Sequence, residues 1–438
     1  MLRKSQNPVS WVPTVYFAMG LPFVVLSMVS VLMFKGMGIG DAQITFWTSA
    51  IMLPWTLKFL WSPFLELYKT KKFFVVLTQI VTGAGFALVA LALQTPFFFA
   101  AGIALLAVVA MSGATHDVVT DGVYMTELDK QQQARYIGWQ GAFYNIAKIV
   151  ASGGLVWLAG WLLKNFGGAE GATEAVRQQA TTHAWMTVML ILAAVMILLG
   201  LYHIRMLPSG KAAASATATA RDTWRRLVEV IRDFFRKKHI GYYIAFIILY
   251  RLAEGFVMKI VPLFLKADRA AGGLGLNEQQ IGLYYGTYGA TAFVLGSILA
   301  GYYISRRGLS RALFTLCCIF NLPFVAYTLL AAYQPESGLL IGGGIVLEYF
   351  GYGFGFVGLM LFMMQQVAPG KHQMAHYAFA SGIMNLGVML PGSISGSVSD
   401  WLGYQSFFVF TLFAAIPAFL ITWFVPFTHP DGNRKAKD

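Results

Sequence analysis

Apolar runs of about twenty residues recur along this chain from its N-terminus to its C-terminus, each long enough to cross the hydrocarbon core of a bilayer as an α-helix. A soluble domain of this size carries roughly a quarter charged residues and under half apolar ones. Here 12% of 438 residues are charged and 57% are hydrophobic. That leaves too little polar surface to wrap a water-soluble globule, so lipid must solvate much of the exterior. The sequence predicts an all-α integral membrane protein of twelve transmembrane helices.

The runs predict helices over 11–34, 43–67, 73–94, 97–122, 135–164 and 183–206, then over 240–265, 278–303, 312–333, 338–364, 373–395 and 402–427. The break divides the chain into an N-terminal six-helix half (1–206), a linker (207–239) and a C-terminal six-helix half with a short basic tail (240–438). Basic residues concentrate in alternate loops. Arg3, Lys4, Lys69, Lys71, Lys72, Lys130, Arg135, Arg306, Arg307, Arg311, Lys371, Arg434, Lys435 and Lys437 fall on the linker side. The positive-inside rule therefore predicts cytoplasmic termini. It also explains the net charge of +13 better than nucleic-acid binding does, and no nucleic-acid partner is expected. The first apolar stretch is too long, and lacks the small-residue cleavage site, for a cleavable signal. The adjacent Cys317 and Cys318 lie inside an apolar run, against a disulfide framework or a metal site.

Within the linker, Lys211 to Ala220 is a low-complexity Ala/Ser/Thr stretch. Arg221 to Lys238 is amphipathic: Trp224, Leu227, Val228, Ile231, Phe234 and Phe235 share one helical face, with Arg225, Arg226, Arg232, Arg236 and Lys237 elsewhere. Such a helix is expected in the cytoplasmic interface, tying the halves together. The stretch from Asn165 to Thr182 reads as a polar loop.

An ionisable group in hydrocarbon costs several kcal/mol unless it is paired or faces water, so each marks a candidate site. The candidates are Lys58, His116, Asp117, Asp121, Lys148, Arg251, Glu254, Lys259 and Glu348. The third, sixth, ninth and twelfth helices carry none in their cores, a pattern that suits those four facing lipid while the others enclose a polar cavity. Asp117 and Asp121 share a helical face. Arg251 and Glu254, three apart, suit either a coupling site or a plain ion pair holding helices in register. Asp121 also suits a helix-end cap, His116 a hydrogen-bonded packing role, and Lys58 a structural lysine satisfied by carbonyls. Desolvation favours the neutral form of a buried carboxylate and nearby cations the ionised form. Gly351, Gly353, Gly355 and Gly358 are expected to interrupt the tenth helix, and Pro22, Pro54, Pro63, Pro262 and Pro391 to kink theirs. No Walker-type loop, His/Cys metal spacing or Gly-x-Ser-x-Gly elbow appears, so neither enzyme activity, a cofactor nor a metal is expected.

Two six-helix halves on a long loop resemble the major facilitator superfamily. Gly301-Tyr-Tyr-Ile-Ser-Arg306-Arg307-Gly308-Leu-Ser-Arg311 is similar to that family's basic loop motif, with Ser305 where an acid is usual; Trp61-Ser-Pro-Phe-Leu-Glu66-Leu-Tyr-Lys69 is a degenerate first copy. The finer resemblance is to AmpG-type permeases, importers of cell-wall muropeptides related to acetyl-coenzyme A transporters. It rests on Gly20-Leu-Pro22, Lys58-Phe-Leu-Trp-Ser-Pro63, Ala114-Thr-His-Asp117-Val-Val-Thr-Asp121, Ser152-Gly-Gly154 and Tyr250-Arg-Leu-Ala-Glu254. His116 stands where that branch has Gln, and Asn145 where it has Arg, with Lys148 one turn later.

The resemblance implies a proton-coupled importer of an anionic, sugar-containing solute in a bacterial inner membrane, working as a monomer. It points to Lys58, Asp117, Asp121, Arg251 and Glu254 for coupling and substrate contact. With the residues particular to this chain added, Lys58, Lys148, Arg251, Asn145, Tyr144 and Glu348 are the expected substrate contacts, and Asp117, Asp121, Glu254 or Glu348 the expected proton-coupling groups. Glu66, Arg306, Arg307 and Arg311 are its expected gate and loop residues. The expected partners are the small-molecule substrate, protons and the lipid bilayer. A drug or siderophore exporter, and a non-transporting sensor of the same ligand, are the rival readings. The many cations weigh against the first, and the lack of a signalling domain against the second.

Overall fold

The structure, a computed structural model, describes residues 7–65, 70–128, 130–168, 171–210, 220–370 and 372–429. All regular structure among them is helical. Ten helices are long and apolar enough to span a bilayer: α1 (Pro8–Gly36), α3 (Lys71–Ala92), α4 (Phe98–Glu127), α5 (130–165), α6 (Glu174–Met206), α8 (Glu278–Arg307), α9 (Leu309–Tyr333), α10 (Gly338–Val367), α11 (Gln373–Leu402) and α12 (Tyr404–Trp423). The second and seventh expected spans are helical but broken. The second, α2, runs as Asp41–Ala50, Leu53–Leu57, a 3-10 turn at Lys58–Leu60 and Ser62–Leu65; the seventh, α7, runs as Ile240–Tyr250 and Leu252–Lys266. A linker helix covers Ala220–Phe235.

The breaks have local causes. Pro54 brings no N–H to the carbonyl of Ala50, so the helical ladder of α2 stops there and restarts with the proline in the first turn. In α7 the chain leaves helical geometry at Arg251, with φ −106° and ψ 7°, although no proline is near. Four other spans carry a π-helical stretch: α1 at Val25–Val29, just after Pro22, α5 at Val150–Leu155, α8 at Gly282–Gly289 and α10 at Met363–Val367. Extra residues of this kind widen a helix locally and cluster at functional sites.

By internal packing the chain forms two compact units, one of residues 1–39 and 60–225 and the other of 40–59 and 226–438. In the first, α3 packs against α4 and α6, and α1 against α5. In the second, α10 packs against α8 and α9, and α11 against α7 and the first piece of α2. The segment 40–59, expected with the N-terminal half, thus belongs with the second unit. There the Tyr404 hydroxyl donates to Asp41 at 2.6 Å and the Gly396 amide donates to Thr45 Oγ1 at 3.1 Å.

Two other expectations change. α6 begins at Glu174, so much of the polar stretch before 182 is helix. The glycines of α10 do not interrupt it. They let neighbours approach: a Cβ on Gly353 would lie 2.0 Å from the carbonyl oxygen of Phe293 in α8. Gly308 does end a helix, taking φ +78° between α8 and α9, which accounts for a glycine at that place in the loop motif.

Gly353→Ala is therefore expected to lower the melting temperature of the purified protein in detergent, with an overpacking cost of about 1–3 kcal/mol. Gly343→Ala, where the new Cβ meets nothing within 4 Å, is expected to leave it unchanged or raise it. Equal melting temperatures would mean that α8 and α10 separate freely.

Candidate functional site

In the second unit the break in α7 creates the most charged buried point. Arg251, released from the helix, turns its guanidinium onto Glu254, with Nε to Oε2 and Nη2 to Oε1 both at 2.5 Å. Both side chains are about 95% shielded. The guanidinium also lies 5.1 Å from the ring centroid of Phe356, a cation–π contact that replaces part of its lost hydration. A two-pronged buried pair of this kind is costly to break, at about 3–5 kcal/mol, because the partner left behind is an uncompensated charge.

Glu254 opens onto a cavity it shares with Glu348 of α10 and with Tyr285, Tyr327, Tyr349 and Tyr352. The space open to water centres is about 30 Å³, room for a couple of waters. The Tyr327 hydroxyl donates to Glu348 Oε2 at 2.9 Å, and the Tyr285 and Tyr349 rings meet edge to face at 4.9 Å. Two carboxylates and four phenols thus line a small space together with Val257, Met258 and Val261, and the Arg251 guanidinium reaches it through Glu254. Such a set can bind a proton, exchange it between acids through hydroxyls or water, and hold a polar group of a ligand.

Lys259, further along α7, is buried and donates to the Thr48 carbonyl at 3.3 Å and to Thr48 Oγ1 at 3.2 Å. It holds the first piece of α2 against α7. Lys58 lies half-buried in the 3-10 turn where α2 breaks. At the C-terminal end of α8 Arg306 covers the Tyr302 ring at 4.2 Å and Arg307 the Tyr303 ring at 5.8 Å, and Arg311, in the first turn of α9, is exposed. Glu66 lies outside the described residues.

In the first unit Asp121 accepts from the Tyr16 hydroxyl at 2.9 Å, and Asp117, one turn earlier, is 6% exposed. Since α4 continues to Glu127, Asp121 sits within the helix and does not cap its end. On α5 the Lys148 ammonium lies 5.0 Å from the centroid of Tyr144. Asn145 donates to the Gly141 carbonyl of its own helix at 2.9 Å.

The sequence reading missed a buried polar chain that crosses α1, α6, α3 and α4. Thr14 Oγ1 meets His203 Nε2 at 2.9 Å, His203 Nδ1 meets Gln79 Oε1 at 2.8 Å, and Gln79 Nε2 meets His116 Nε2 at 3.0 Å. His116 Nδ1 ends the chain on Thr120 Oγ1 at 3.3 Å. With the glutamine as placed, its amide N–H₂ requires a lone pair on His116 Nε2 and its oxygen requires a proton on His203 Nδ1. Reversing the amide reverses both demands, so this one side chain fixes the two imidazole tautomers together. A glutamine and a histidine in otherwise plain third and sixth helices were the available signal.

A twelve-span helical fold with buried charged groups at helix breaks defines the class: a multi-pass membrane transporter for small molecules. The family description "Major Facilitator Superfamily" matches residues 14–372 and 247–438, and the chain belongs to that superfamily. It is similar to the "Anhydromuropeptide permease" of Escherichia coli (strain K12), 25% identical over 375 residues that cover 83% of this chain and 69% of the permease. It is also similar to a "Putative transporter AmpG 4" of Rickettsia conorii, 20% identical with 93% of each chain covered. Among solved structures, the nucleoside transporter NupG superposes with a TM-score of 0.70 at 14% identity, covering 96% of this chain and 100% of that one. A D-xylose-proton symporter gives 0.69 at 9% identity, covering 97% and 98%.

Gln79→Leu is expected to orphan one nitrogen on each of His116 and His203, at about 1–3 kcal/mol apiece. Thermal unfolding in detergent should drop by several degrees. No drop would mean that water takes the place of the amide.

Proposed function

We propose that the protein is a proton-coupled importer of an anionic, sugar-containing solute of the muropeptide class, working by alternating access in a bacterial inner membrane with both termini in the cytoplasm. The observation that carries this reading is the Arg251–Glu254 pair at the break of α7, opening onto the Glu348 cavity. Broken spans expose backbone and charge at mid-depth, where carriers of this general kind hold substrate and coupling ion. With Glu254 matched by Arg251, Glu348 is the surplus acid of the cavity, and a proton neutralises it without a metal or a second base. A substrate carboxylate arriving at Arg251 would displace Glu254 from its partner, and Glu254 would then take a proton. In this way substrate and proton enter together.

The relatives named for anhydromuropeptide and AmpG-type transport support the substrate class. The tyrosines of the cavity, with Tyr144 beside Lys148, offer the flat faces on which sugar rings pack. Lys58 and Lys148 are the proposed further contacts for an anionic substrate, and Asp117 and Asp121, the latter held by Tyr16, a second proton-handling pair.

The test is uptake of a labelled anhydro-muropeptide disaccharide into proteoliposomes, with and without an inward proton gradient, beside a panel of anionic oligosaccharides. Gradient-driven accumulation of the muropeptide is expected. Accumulation of a different sugar would replace the substrate and keep the mechanism, and movement of none would overturn the reading. Glu254→Gln and Glu348→Gln are each expected to lose accumulation at least tenfold. Counterflow, which needs binding but no net proton movement, should persist in Glu348→Gln. Full accumulation by both variants would remove this cavity from coupling.

A further inference from the structure

The linker helix and the start of α11 bring together three groups that the transport reading does not use. Glu229 and Asp233, four apart, share a face of the linker helix, and His372 is the residue just before α11. One ligand atom from each lies within 4.8 Å of the others. We propose that Glu229, Asp233 and His372 form a binding site for a divalent transition-metal ion of the zinc type.

Three observations carry it. The first is a distance. His372 Nε2 stands 3.6 Å from Asp233 Oδ2, too far for a hydrogen bond. Two ligands of one tetrahedral ion, with bonds of about 2.1 Å, sit about 3.4 Å apart. The second is an orphan: His372 Nε2 is shut off from solvent and has no hydrogen-bond partner. The third is the frame, which is fixed without any ion. Phe234 is fully buried, with its ring 4.7 Å from Phe379. Lys237 Nζ donates to the last carbonyls of α10, at 2.6 Å to Val367, 3.1 Å to Ala368 and 2.7 Å to Pro369, while its burial lowers its affinity for a proton.

Next to the cluster, His376 meets the Val230 carbonyl through Nε2 at 3.2 Å and leaves Nδ1 buried without a partner. Its ring lies 5.8 Å from that of His372, so the first turn of α11 presents two partnerless imidazole nitrogens. Two carboxylates and a neutral imidazole supply two negative charges to a divalent cation, a donor set that suits zinc and its neighbours. With three protein ligands the fourth position falls to water. A bound ion would pin the linker helix to the start of α11.

The test uses the full-length protein, purified in detergent with a tag free of histidine and stripped with a chelator, then titrated calorimetrically with Zn²⁺ and spectroscopically with Co²⁺. One Zn²⁺ per chain and a visible Co²⁺ band are expected. Asp233→Asn and His372→Ala should each weaken Zn²⁺ binding at least about 100-fold, beyond the loss typical of outer-shell changes. His183→Ala, in α6, should not change it, and unaltered melting curves of the metal-free variants would show that they fold. No Zn²⁺ bound by the wild-type protein, or binding that Asp233→Asn and His372→Ala leave within twofold, would overturn the site.

Discussion

Hydrocarbon offers no hydrogen bond to an exposed peptide group, and every other feature of this fold answers to that constraint. A span survives only if its N–H and C=O groups are satisfied along the helix, and any departure needs protein or trapped water to make up the difference. Uninterrupted α-helices, such as α3 and α6, meet the requirement unaided. The broken spans meet it with side chains and neighbours. Where α7 departs at Arg251, the next turn is recovered by the Gly255 amide donating to the Arg251 carbonyl at 2.9 Å. The side chain released by the break then serves Glu254. The backbone irregularity and the charge therefore belong to one arrangement: the pair sits where the helix opens, beside a small cavity lined by two acids, four phenols and three apolar side chains.

The same constraint separates the two kinds of buried polarity in the molecule. The Thr14–His203–Gln79–His116–Thr120 chain is closed, because each of its ring nitrogens and both ends of its amide have a partner inside the first unit. A network in which each ring nitrogen is partnered specifies one packing of four helices. The Glu254–Glu348 cavity is open. It is lined by two acids, of which Arg251 pairs with Glu254 alone, and it has room for water, so its charge state has somewhere to change. A polar cluster with spare capacity suits coupling, whereas a saturated one suits architecture.

Legibility in the sequence follows the range of the interaction. Apolar run length is a local property, and it delivered the helical spans, while the superfamily was legible in short motifs such as Gly301–Arg311. Arg251 and Glu254 are three residues apart, so their pairing was open to a reading of helical spacing. The break beside them was not, since no proline signals it, and the Phe356 ring that faces the Arg251 guanidinium is far off in the chain. The Tyr327–Glu348 contact, the Gln79 bridge and the approach of His372 to Asp233 join residues far apart in the chain. Each offers only a lone polar residue in an apolar stretch as its trace. Glycine misled for a related reason: in α10 the spacing of Gly351, Gly353, Gly355 and Gly358 looks like helix breaking, yet the helix continues and the space of the missing side chains is taken up by neighbouring carbonyls and side chains.

Among the described residues, π-helical stretches occur in α1, α5, α8 and α10 and full breaks in α2 and α7, while α3 and α6 run as plain α-helix. α9 and α12 are interrupted only beside prolines, at Pro323 and Pro417. A π stretch shifts the register of one face against its neighbour without severing the ladder, and it can move along a helix at low cost because hydrogen bonds are exchanged rather than lost. Of the spans that carry candidate ligand or proton groups, α2, α5, α7 and α10 have this slack, whereas α4, with Asp117 and Asp121, runs unbroken to Glu127. α3, α6, α9 and α12 carry none of those candidates and are straight or bent by proline alone. A span that bends around a changing polar site needs adjustable hydrogen bonds. The contrast between these two sets of four spans is thus written into the backbone as well as into the charges.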